Sequence, residues 1–155
     1  MPMRGLVLLL LGLLLAAPAS GQGGRPLRVR GERALTFGVV FPGVPTRILR
    51  TDPVGSGEFS IRGERFLQVL IQFSLPTSLT GPGGAAMPLS FGSNDAGYST
   101  TTIGAQAGFD PNVGGTGQLS NNGRGSVFLG GTAQPTTGQA AGAYTGLVIL
   151  TVIVP

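Results

Sequence analysis

The sequence predicts an all-β protein, an antiparallel β-sandwich of about eight or nine short strands, and three observations carry that expectation. Apolar residues alternate with polar ones at a period of two, turn-forming clusters recur at short intervals, and no apolar stripe at helical spacing competes. The clearest run is FLQVLIQFSLP, where Leu67, Val69, Ile71, Phe73 and Leu75 share one parity and Phe66, Gln68, Leu70, Gln72 and Ser74 the other. In an extended chain that gives one wholly apolar face and one mixed face.

The elements follow in chain order. MPMRGLVLLLLGLLLAAPASG places Arg4 before an apolar stretch from Leu6 to Ala17 and the small residues Ala17-Pro18-Ala19. This is the pattern of a secretory signal peptide over residues 1–19, with cleavage after Ala19. A membrane-spanning helix needs roughly 20 apolar residues, and this stretch is followed by glycine, glutamine and proline, so no stable membrane insertion is expected after cleavage. Residues 20–33 read as a flexible N-terminus with a first short strand near 26–30. Residues 34–155 are long enough for a single sandwich domain.

Within that domain the alternation predicts strands near residues 34–41, 45–50, 57–62, 66–75, 86–91, 98–105, 125–133 and 144–154. Leu35, Phe37, Val39 and Phe41 share a side in the first of these, Phe59 and Ile61 in the third, and Met87, Leu89 and Phe91 in the fifth. Turn signals separate them: Pro42-Gly43, Asp52 to Gly57, Gly81 to Gly84, Asn94 to Gly97, Asp110 to Gly117 and Asn121-Asn122-Gly123. Asn122-Gly123 is the strongest hairpin signal, since both residue types tolerate positive φ.

Composition excludes more chemistry than it suggests. The chain has no cysteine, histidine, lysine or tryptophan. That removes disulfides, a lipid anchor on cysteine, Ser-His and Cys-His nucleophile pairs, the usual zinc sites, Schiff bases and the P-loop lysine. The expectation is a protein that is not an enzyme and uses no cofactor and no metal. Glu58 and Glu64 would make a glycosidase-like acid and base only if brought a few ångströms apart in a cleft, and Arg62 and Arg65 are their more obvious partners. Asp95 and Asp110, with Asn94 and Asn112, offer oxygens for calcium, but turn-forming Asx residues explain the same pattern. The run from Asn112 to Gly117 lacks the lysine and the following helix of a phosphate loop.

The pI near 11.1 overstates how basic the chain is. Residues 20–65 carry eight arginines against four acids, whereas residues 66–155 carry only Asp95, Asp110 and Arg124. The high pI arises because every base is arginine. Arg25, Arg28, Arg30 and Arg33 would form a basic strip able to touch phosphate or anionic lipid, or simply a solvated first strand. A secreted protein makes nucleic acid an unexpected partner.

Two local patterns near the C-terminus read as scaffolding. Gly130-Gly131 interrupts a strand, where glycine marks a bulge or a close backbone approach. Tyr144 stands between Gly142 and Gly146 at the entry to the final strand, placed for burial with its hydroxyl bonded to a nearby carbonyl, as in the tyrosine corner of sandwiches. GLVILTVIVP, residues 146–155, is different in kind. If Tyr144, Val148, Leu150 and Val152 face the core, then Leu147, Ile149 and Ile153 face outward, where an ordinary strand carries polar residues. These three are the expected partner surface, for a second copy or another surface subunit, unless another part of the chain covers them.

LTFG at 35–38, GEFSIRG with LIQFSLP at 57–76, VFLGGT at 127–132 and GAYTGLVILTV at 142–152 resemble, in order and spacing, the motifs of the bacterial secreted family catalogued as domain of unknown function number 4402. One difference lies at the end, where the family often closes on an aromatic residue and this chain closes on Val154-Pro155. The resemblance implies an immunoglobulin-like or pilin-like all-β domain exported by Gram-negative bacteria, with no catalytic residues to carry over. The expected role is an exported, non-catalytic structural or adhesive cell-surface protein, a pilus-like or surface-assembly subunit located in the periplasm or outside the cell. The alternative is a secreted β-sandwich module that binds a glycan or small ligand. Strand donation by the N-terminus is not expected, because Leu27 and Val29 alternate with Arg28 and Arg30 and make a poor donor.

Overall fold

The computed structural model describes residues 24–155. The signal peptide and its cleavage after Ala19 lie outside the described residues. Twelve strands and one short 3-10 turn make up the regular structure of the described residues. They are β1 Arg28–Arg33, β2 Thr46–Ile48, β3 Gly57–Arg62, β4 Gln68–Ser74, β5 Ser78–Thr80, β6 Ala86–Ser90, β7 Ala96–Ser99, β8 Ala107–Phe109, β9 Gly115–Gln118, β10 Arg124–Leu129, β11 Gly131–Ala133 and β12 Ile149–Ile153.

All pairings are antiparallel and form three sheets. A five-stranded sheet has the order β1-β3-β10-β7-β8, a three-stranded sheet β12-β4-β9, and a four-stranded sheet β2-β11-β6-β5. The protein is thus the all-β sandwich that the alternation predicts, built from more and shorter strands. The core lies between the five- and three-stranded sheets, where Ile61, Val127 and Tyr98 of the one meet Val69 and Ile71 of the other beside Leu119. In β4 the predicted parity holds: Val69 and Ile71 are buried while Gln68, Gln72 and Ser74 are exposed.

Glycines let the chain pass between sheets. The run 125–133 is not one strand, because β10 belongs to the five-stranded sheet and β11 to the four-stranded one. The change falls at Gly130, whose N–H reaches the Asp95 carbonyl at 2.7 Å. A Cβ there would collide with the Ile48 carbonyl oxygen and stand 2.7 Å from the Arg50 nitrogen. This is the close backbone approach expected of the pair. The Asn122-Gly123 turn forms, with Gly123 at φ 68°, but joins β9 to β10 in different sheets rather than closing a hairpin. A side chain at Gly123 would strike the Gly63 carbonyl, so the turn serves to carry the chain across the sandwich.

The expected strand at 34–41 does not form. Leu35 and Phe37 point inward, yet Gly38 turns to φ 67° and beyond it Val39 and Phe41 are 82% and 65% exposed. A left-handed residue breaks both the pleat and the period-two alternation. The expected strand at 98–105 also ends early, at Ser99, and gives way to a turn before β8.

Candidate functional site

The final strand carries the residues singled out for contact. β12 pairs only with β4, in the register Ile149↔Ser74, Leu150↔Phe73, Thr151↔Gln72, Val152↔Ile71 and Ile153↔Leu70. Its other edge has no strand neighbour among the described residues. Val148, Leu150 and Val152 are half-buried, whereas Leu147, Ile149 and Ile153 are 71%, 50% and 42% exposed. The outward side chains are therefore the three that the alternation indicates, and no segment among the described residues folds back over them. None of β4, β9 and β12 carries a charged residue. Natural sheets guard open edges with charges, bulges or proline. β1, the open edge of the five-stranded sheet, has three arginines, a glutamate and a bulge between Gly31 and Arg33. β12 has no such guard.

Tyr144 holds the approach to this strand. Half-buried, it donates from its hydroxyl to the Ala140 carbonyl at 2.7 Å and accepts from Gln139 Nε2 at 2.8 Å. Its ring lies against Gly81, where any side chain would overlap it, and Thr145 exchanges backbone bonds with Thr80 at 2.8 and 3.0 Å. The structural reading of Tyr144 and of Gly130 fits these contacts. Gly131 completes the pair, because a Cβ there would sit 2.9 Å from the Phe91 ring.

The tyrosine that links the two main sheets is Tyr98, which the sequence reading did not single out. It is 8% exposed and donates from β7 to the Gln118 carbonyl at 2.8 Å. Gly117 and Gly125 leave room for its ring. Burial pushes its pKa up to about 12. The available signal was the pair of glycines at 117 and 125, which is legible as a slot only once the two strands carrying them face one aromatic.

An apolar trench of about 1030 Å³ opens beside β12. Leu35, Phe37, Phe59, Met87, Leu129 and Val148 are among its lining residues. Segments 34–42 and 140–148, which lie outside the named strands and where predicted strands failed or shortened, supply much of its lining.

The acidic residues are dispersed. Glu58 pairs with Arg33 at 3.1 Å, not with Arg62 or Arg65 as expected. Glu64 accepts from the Arg25 backbone amide. Glu58 lies near the start of β3 and Glu64 beyond its end, each with its own partner, so they form no acid-base pair. Asp95 binds Arg47 at 3.2 Å and the Gly92 amide at 2.7 Å, while Asp110 accepts from the Asn112 amide and side chain. No group of three acidic, histidine or cysteine side chains converges among the described residues. No helix among them is long and apolar enough to cross a membrane. No family model and no curated protein matches the chain.

Proposed function

We propose that this is an exported, non-catalytic structural or adhesive surface protein, a pilus-like or surface-assembly subunit that meets its neighbours through the β12 edge. One observation carries the reading: an open, uncharged edge strand and the segment leading into it present Ile149, Ile153 and Leu147 to solvent. Edge strands left in this state template pairing with another chain. The signal pattern at the N-terminus and the resemblance of LTFG, VFLGGT and GAYTGLVILTV to a secreted family support export. The absence of histidine, cysteine and lysine supports a role without catalysis.

Size-exclusion chromatography with light scattering on the mature chain tests the proposal. A concentration-dependent oligomer that is lost in the Leu147→Thr/Ile149→Thr variant is expected. A strict monomer at every concentration would remove the assembly role. The trench favours a second reading, an exported module that holds a small apolar ligand, because its lining is mainly aliphatic and aromatic side chains. Saturable uptake of an apolar dye, lost on Phe37→Ser, would support that reading instead.

A further inference from the structure

Arginine is spent unevenly in this chain, and three arginines meet in one row. Arg28 of β1 pairs in register with Arg62 of β3, and Arg62 pairs with Arg124 of β10. Residues paired across strands project to the same face, and all three are exposed. Arg124 is the only base between residues 66 and 155, and the register sets it directly opposite another arginine.

Like charges directly opposed on a sheet are destabilising. Glu64 accepts from the Arg25 backbone amide beside the row, but no acid forms an ion pair with these arginines among the described residues. None of the three guanidinium groups makes a hydrogen bond or ion pair among the described residues, whose ion pairs involve Arg30, Arg33 and Arg47. Residues 1–23 contain no aspartate or glutamate to supply one. Arg25 joins the row: the four arginines, with Asn122, line a cleft of about 610 Å³ that has no acidic lining residue. Strands lie about 4.8 Å apart, so the row presents three planar donor forks over roughly 10 Å. Such forks match the paired oxygens of a phosphate or sulfate ester.

A second, independent feature lies at the same end of the sandwich. Phe66 is 56% exposed and is the one non-glycine described residue with positive φ, at 59°. Its loop is bonded to the turn that precedes Arg124, through Phe66 N–H to the Ser120 carbonyl at 3.2 Å and Gly63 N–H to the Gly123 carbonyl at 3.0 Å. Backbone held in sparsely populated regions clusters at ligand-binding and other functional sites. An exposed ring beside oxyanion receptors suits a sugar carrying charged esters.

We propose that Arg25, Arg28, Arg62 and Arg124, with Phe66 beside them, bind a saccharide chain bearing sulfate or phosphate esters. The site lies on the five-stranded sheet and does not depend on assembly through β12.

Binding of dextran sulfate and of phosphorylated dextran to the mature chain, with neutral dextran as the matched control, tests it and separates the two esters. Arg28→Gln, Arg62→Gln and Arg124→Gln should each weaken binding of at least one charged polymer about tenfold, as expected for loss of a charge-assisted contact. Relieving the opposed charges should leave the melting temperature of Arg62→Gln unchanged or raise it by about 1–4 °C. A merely structural arginine would lower it. Arg65→Gln removes the same charge outside the cleft and should bind as wild type. Equal loss in Arg65→Gln, a melting temperature that falls together with binding in Arg62→Gln, or tighter binding to anionic phosphatidylglycerol vesicles than to either polymer would overturn the proposal.

Discussion

Tyr98 and Gly130 show how single residues hold this sandwich together. The Tyr98 hydroxyl is the polar tie between the five- and three-stranded sheets. Tyr98→Phe leaves the Gln118 carbonyl without that donor and should cost about 1 kcal/mol in a denaturant titration. The raised pKa also has a sign that can be checked. The folded state keeps the phenol proton to about pH 12 whereas an unfolded tyrosine releases it near 10. Tyr98 therefore contributes its full share below about pH 10, and that share is lost as pH rises from there through about 12. Alkaline unfolding followed by circular dichroism should begin at higher pH in Tyr98→Phe than the wild type when each is normalised to its own neutral-pH stability. Gly130→Ala should destabilise by several kcal/mol, because its Cβ would meet the Ile48–Arg50 backbone on one side of a passage that cannot widen without breaking β2 from β11. Gly130, Gly131 and Tyr144 were legible in the sequence because interruption and flanking glycines are local signals. Tyr98 was not, since its slot is assembled from β9 and β10 only after folding.

Among the elements, β4 and β12 were the most legible and the segment 34–41 the least. The alternation in β4 survives because both of its neighbours, β12 and β9, pair along it and one whole face meets the core. In residues 34–41 the same period is present, but Gly38 takes a left-handed φ of 67° and the backbone gains only isolated bonds such as Thr36 N–H to the Gly55 carbonyl at 2.8 Å. Hydrophobic parity reports which side chains are apolar, not whether a neighbouring strand exists to pair with. Short strands such as β5, β8 and β9 were missed for the converse reason, as three or four residues, mostly Ser, Thr, Gly and Ala with one larger side chain each, carry little periodicity. The turn at Asp52 is held by local chemistry: its carboxylate accepts from the Gly55 and Val54 amides at 2.8 Å each, which holds its pKa below the ordinary value, with Arg33 adding a smaller pull. That contribution is present above the unfolded value and lost as pH falls through the lowered one. Asp52→Ala should therefore flatten the acid limb of the stability profile below about pH 4, read by thermal melts.

The whole molecule divides its surface by charge. The five-stranded sheet carries the arginine row and the guarded edge of β1, while the three-stranded sheet carries no charge and leaves β12 open. The sequence announced the imbalance between its first and second halves, but the register that aligns Arg28, Arg62 and Arg124 belongs to the tertiary pairing. The central claim is that the β12 edge joins one molecule to another. Amide hydrogen exchange on residues 147–154, measured over a series of protein concentrations, tests it most directly, because the N–H groups of β12 that point away from β4 have no strand partner among the described residues. Exchange in this segment should slow as concentration rises, and Leu147→Thr/Ile149→Thr should abolish that dependence while leaving the β4 amides protected. Exchange that stays the same at every concentration in the wild type would contradict the account.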